Sequence, residues 1–83
     1  MDSGWREAWG RWELRYQGKM LAAVYVATDG NARMTLQGQM LWQVKHVTAG
    51  GLGPAKRFAE RWCAARHLPG VALVDAVALI RGQ

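Results

Sequence analysis

The sequence is short of acid, of cysteine and of long apolar runs. Only six of its 83 residues are Asp or Glu, and no two of them fall where a strand or helix would bring them together as a general acid and base. Enzymatic chemistry is therefore not expected. A single cysteine, Cys63, excludes an internal disulfide and any zinc site built from thiols alone. A reducing compartment, the cytoplasm, is the natural setting. Cys63 and His67 stand one helical turn apart, but two ligands do not close a metal site, and Cys63 reads first as a small core hydrophobe beside Trp62. Neither metal nor cofactor is expected. The most apolar stretch, Val71 to Ile80, is about half the length that spans a bilayer and carries Asp75 in its middle, so no membrane insertion is expected. The first residues have no apolar run behind a basic start, which argues against a secretory signal.

What is present is charge and tryptophan. Eleven Lys and Arg give a formal net charge of +5 and a sequence pI near 10.2, an excess that attracts polyanions, nucleic acid first, or acidic protein surfaces. With 51% hydrophobic and 20% charged residues the balance is globular. A chain this short has room for one domain, 1–83, and buries only roughly 60–65% of its unfolded surface. Five tryptophans exceed what one small core absorbs easily.

Three turn signals, Gln17-Gly18-Lys19, Thr28-Asp29-Gly30-Asn31 and Gln37-Gly38-Gln39, divide the first half at regular intervals. They predict an antiparallel meander of four strands near 11–17, 20–28, 32–37 and 40–47. Trp12, Leu14 and Tyr16 alternate with Glu13, Arg15 and Gln17; Met34 and Leu36 alternate with Arg33, Thr35 and Gln37; Trp42 and Val44 alternate with Gln43 and Lys45. One face is core and the other polar and basic. A loop, Thr48 to Gly53, leads to Pro54 as first helical residue, and an amphipathic helix over about 54–67 is expected to lay Phe58 and Trp62 across the sheet before Leu68-Pro69-Gly70 stops it. The fold class is α+β. The segment 71–80 suits a strand or a short helix, with the reading inclined to strand, and residues 1–10 suit an irregular arm or a helical turn.

The candidate binding surface follows from that layout. Arg15, Arg33 and Lys45, with Gln43 and Tyr25 among them, place cations between amides and an aromatic, which suits phosphate contacts with bases touched in between. Lys56 and Arg57, at a helix start behind a glycine loop, are a second place to hold a phosphate. Trp5 and Trp9, in a segment with few other apolar residues, are candidates for a protein interface. The bland alternatives are a solvated basic face, an ordinary helix start and an arm that folds back on the core.

A meander followed by a helix resembles the small sheet-plus-helix DNA-binding modules of the integrase-arm kind, and the resemblance implies that Arg15, Arg33 and Lys45 form a reading face. Lys56-Arg57-Phe58-Ala59-Glu60 is similar to the opening of the last helix of double-stranded-RNA-binding domains, departing at Glu60 where that family has a cation. The whole chain, with Ala55 to Trp62 after a tryptophan-rich sheet, also looks like the short accessory proteins of bacteriophages and mobile elements. Some of those inhibit host machinery, CRISPR effector complexes included. Two functions follow as expectations. One is nucleic-acid binding through the basic sheet face; the other is an anti-CRISPR-like inhibitor or adaptor that binds a host protein complex. A homodimer through a sheet edge or the C-terminal apolar segment is compatible with either.

Overall fold

A computed structural model describes residues 3–82. Five strands form one antiparallel sheet in sequence order: β1 (Gly4–Ala8), β2 (Arg11–Tyr16), β3 (Lys19–Val26), β4 (Ala32–Gln37) and β5 (Val44–Ala49). Two helices follow, α1 (Leu52–His67) and α2 (Leu73–Ile80). The α+β class and the antiparallel meander are as the turn signals predict, with one strand and one helix more.

The extra strand takes the place of the irregular arm or helical turn expected over residues 1–10. Residues 4–8 pair along their whole length with 11–15, and the connection is a two-residue turn in which Trp9 and Gly10 both have positive φ, 55° and 78°. Residues 1 and 2 of that arm lie outside the described residues. Gln17 and Gly18 repeat the same conformation between β2 and β3, at 52° and 80°. Positive φ at both central positions matches the right-handed twist of the flanking strands. The Asp-Gly turn forms as its sequence predicts: Ala27 O accepts from Gly30 N at 2.9 Å, and Asp29 Oδ1 accepts from Asn31 N at 3.0 Å.

Both helices cover one face of the sheet. Leu14, Ala22, Val24, Ala32, Met34 and Leu36 point into the core and are buried. Between Leu14 and Arg15 the register slips: Leu14 pairs with Ala22 and Arg15 with Met20, leaving Leu21 as an extra residue in β3. This bulge lets Leu21 and Ala22 both be buried, at the centre of the core.

Helix α1 presents its small residues to the sheet. Ala55, Ala59, Cys63 and Ala64 are buried while Phe58 is exposed and Trp62 is only half-buried, so the helix is rotated from the expectation that Phe58 and Trp62 cross the sheet. Small side chains let the helix backbone lie close to the sheet, and the volume is filled from the sheet side by Leu14, Leu21 and Leu36. Helix α1 also starts two residues before Pro54, which sits within its first turn, where its missing N–H costs nothing.

The C-terminal segment is a helix and not a strand. Ala72, Ala76 and Ala78 favour helix, and Ala76 and Ile80, one turn apart, are buried against the rest of the core. At its end, α2 meets β1. A Cβ on Gly4 (φ 110°) would come within 2.6 Å of the Arg81 carbonyl oxygen, and a Cβ on Gly82 within 2.6 Å of the Ser3 carbonyl oxygen. Only glycine fits at either position.

Candidate nucleic-acid interface

The second face of the sheet carries no helix. Register places on it Arg6 opposite Glu13, Ala8 opposite Arg11, Tyr25 opposite Arg33 and Thr35 opposite His46, with Arg15 facing Met20. Four arginines therefore share the open face with Tyr25, which is 48% exposed.

Glu13 organises the middle of this face. Arg11 Nη2 donates to Glu13 Oε2 at 2.8 Å and Arg15 Nη2 donates to Oε1 at 3.1 Å, with both Nε groups adding a second bond. The two guanidiniums stand two residues either side of Glu13 on one strand, at the i−2 and i+2 positions that share its face in a pleated chain. They cover the carboxylate, and the Arg11 hydrogen bonds above all, with those of Arg15, hold it below its ordinary pKa against the opposing effect of burial. Each fork keeps further N–H groups free for an anion. Arg33 is more loosely held, 3.7 Å from Asp29, and Thr35 Oγ1 lies 3.2 Å from His46 Nδ1.

Trp9 stands at the corner of this arrangement. It is 99% exposed and, with Arg6, Glu7, Arg11, Glu13 and Arg15, lines a shallow hollow of about 430 Å³. A tryptophan in the left-handed region is uncommon, because that conformation crowds any side chain larger than Asn or Gly.

The structure divides the residues singled out from the sequence. Arg15, Tyr25 and Arg33 share the open face. Lys45 does not: it pairs with Leu36 and lies on the helix side at the exposed sheet edge, because β5 starts four residues later than expected and its alternation is shifted by one. A lysine turned inward on an edge strand discourages another strand from pairing there. Gln43 closes the β4–β5 loop, its Oε1 accepting from Met40 N at 3.0 Å and its carbonyl from Gly38 N at 2.7 Å. At the tip of that loop Leu41 and Trp42 are 88% and 79% exposed, so Trp42 is not the core residue its alternation suggests.

Lys56 and Arg57 lie on α1, on the opposite side of the molecule from the open face. Lys56 Nζ sits 3.4 Å from the centroid of the Trp12 ring and 5.5 Å from that of Trp5, so its charge is engaged within the fold. Trp5 is half-buried. Its Nε1 donates to Glu60 Oε2 at 2.7 Å while Arg81 donates to Glu60 Oε1 at 2.9 Å. The buried Glu60 thereby joins β1, α1 and α2, and it raises the pKa of Arg81 through that hydrogen bond. Trp5 belongs to the fold and Trp9 to the surface.

Cys63 and His67 face separate partners. Cys63 Sγ donates to the Leu21 carbonyl at 3.7 Å, and burial pushes its thiol up to about 12, leaving little thiolate for chemistry near neutrality. His67 Nε2 donates to the Gln37 carbonyl at 2.7 Å. Among the described residues no group of three or more His, Cys, Asp or Glu could hold a metal ion, and no helix is long and apolar enough to cross a membrane.

Sequence reasoning missed Arg6, Arg11 and the orienting role of Glu13. Arg11, Glu13 and Arg15 alternate visibly, but Arg6 needs β1, and the spacing of Trp5, Trp9 and Trp12 suggests a helical turn there. No protein-family model, curated protein or solved structure matches the chain.

Proposed function

We propose that the open sheet face binds single-stranded nucleic acid, with bases stacked on Trp9 and Tyr25 and phosphates held by Arg6, Arg11, Arg15 and Arg33. The observation that carries this reading is Trp9: fully exposed, in a backbone conformation unfavourable for its side chain, at the corner of an arginine cluster. Strain and solvent exposure of a large aromatic both oppose folding, and residues kept in such positions concentrate at functional sites. Aromatic stacking with neighbouring cations is how single strands are bound without dependence on sequence, each stacked base contributing about 1–3 kcal/mol.

Sheet width favours a single strand over a duplex. Five strands at roughly 4.8 Å span about 19 Å, more than the roughly 12 Å major groove admits. Narrower sheets of the integrase-arm kind could enter that groove; this face as a whole could not. A strand laid across it would meet Arg6, Glu13 flanked by Arg11 and Arg15, and then Tyr25 and Arg33.

Titration of tryptophan fluorescence with short single- and double-stranded DNA and RNA at two salt concentrations tests the reading. The expected result is micromolar or tighter binding of single strands, quenching that disappears in Trp9→Ala, and a log–log salt slope that falls by about 0.7 for each phosphate contact removed by Arg11→Ala or Arg15→Ala. Absence of binding at low salt, or binding untouched by Trp9→Ala and Arg15→Ala together, overturns it. The second reading, a host-protein partner, then gains weight, and the exposed Leu41 and Trp42 are its natural contact.

A further inference from the structure

The helix layer has a surface that the open sheet face does not use. Between α1 and α2 runs a groove of about 560 Å³. Leu73, Val74 and Val77 from α2 line it, and Arg57 and Arg61 from α1 and Arg81 at the end of α2 stand along it. Along α2, Leu73, Val77 and Val74 continue outward from Ala76 and Ile80 as one broad apolar face, of which Ala76 and Ile80 are the part buried against the fold. The domain covers the inner part of this face and half-covers Val77, leaving Leu73 and Val74 exposed. Val74, 77% exposed, has nothing over it.

The electrostatics define what suits the exposed part of this face. The acid lining the groove is Glu60, and both of its oxygens are taken, one by Trp5 and one by Arg81. Arg57 and Arg61 remain without an acidic partner among the described ion pairs. The groove therefore presents an apolar floor between cations.

We infer that this groove docks an amphipathic helix of another protein whose apolar stripe is flanked by acidic residues. Such a helix would lie along α2, over a length of about 12 Å or two turns, as a third member of the helix layer. Nucleic acid has the negative charge but no apolar stripe for Leu73, Val74 and Val77. A second copy of this chain has the apolar residues but not the charge. Of its two helices, α1 offers only the buried Glu60 and α2 only Asp75, and self-association through the groove would bring Arg57 and Arg61 of both copies together.

The test uses the full chain and a dye-labelled synthetic helical peptide with a leucine stripe flanked by glutamates, alongside the same peptide with lysine for every glutamate. Fluorescence anisotropy is expected to show micromolar binding of the glutamate peptide and at least about tenfold weaker binding of the lysine peptide, a difference of about 1.4 kcal/mol. Val74→Asp and the pair Arg57→Glu, Arg61→Glu should each weaken the glutamate peptide at least as much. All three positions are exposed, and circular dichroism checks that the variants stay folded. Failure of the glutamate peptide to bind, equal binding of the lysine peptide, or indifference to Val74→Asp overturns the proposal. So does a dimer in light scattering that Val74→Asp dissociates, which would assign the groove to a second copy.

Discussion

Two carboxylates do most of the organising at the scale of single residues, and both occupy positions that read from sequence as ordinary surface. Glu13 alternates outward with Arg11 and Arg15, and its neighbours fold over it. Its carboxyl is held below the ordinary value of 4.5. A lowered folded-state pKa means that the stabilisation is fully present above the unfolded value, about 4.5, and is lost as pH falls through the folded one. The stability difference between the native chain and Glu13→Gln should therefore be largest near neutrality and shrink below about pH 4.5. Urea melts at a series of pH values measure it, and a difference constant from neutrality to strong acid would show that the ion pairs contribute nothing. For Glu60, local spacing offers only Lys56, four residues before it on the helix. Its true partners, Trp5 and Arg81, lie 55 and 21 residues away, and no local pattern reports such distances.

Elements were legible where two of the turns announced themselves by chemistry. Asp29-Gly30 and Gln17-Gly18 marked β2, β3 and β4 to within two residues. The β1–β2 hairpin escaped because its turn is Trp-Gly, and tryptophan does not signal positive φ. The same departure supplies a prediction. Trp9→Asn places in the turn a residue that tolerates φ near 55° and removes an exposed indole, so the chain should become more stable by about 0.5–1 kcal/mol while losing affinity for single-stranded oligonucleotide. Thermal melts and the fluorescence titration are read together. A less stable variant would mean that Trp9 serves the fold. The rotation of α1 was hidden for a related reason: a helix that buries alanines shows no large apolar stripe on its core side. Of its aromatic residues, Phe58 is exposed and Trp62 packs only at the edge of the core, half-buried. The shift of β5 was hidden because the loop before it begins with residues that alternate like a strand.

At the scale of the molecule the division is between two surfaces of different chemistry on either side of one small core. On the open sheet, cations stand around exposed aromatic rings; in the helix groove, cations stand around aliphatic side chains. A net charge of +5 serves both, and from composition alone they cannot be told apart. The fold class followed from the order of turns, whereas the two-sided character depends on which face the helices cover, a tertiary fact. Strands that pair only with their sequence neighbours keep most sheet contacts local, which favours rapid folding.

The close passage of Ser3 and Gly4 against Arg81 and Gly82 makes the domain, in effect, a closed ring. Its connectivity should be transferable: joining residue 82 to residue 3 by a short glycine-rich linker and opening the chain between Leu41 and Trp42 should give a circular permutant with an unchanged far-UV spectrum and a single cooperative melt. A permutant that fails to fold would show that the β4–β5 connection has to be intact for the sheet to assemble. Polypeptide joined at residues 3 and 82 leaves from one corner, so the domain can be carried inside another protein like a bead on a loop, with the open sheet and the helix groove both facing outward.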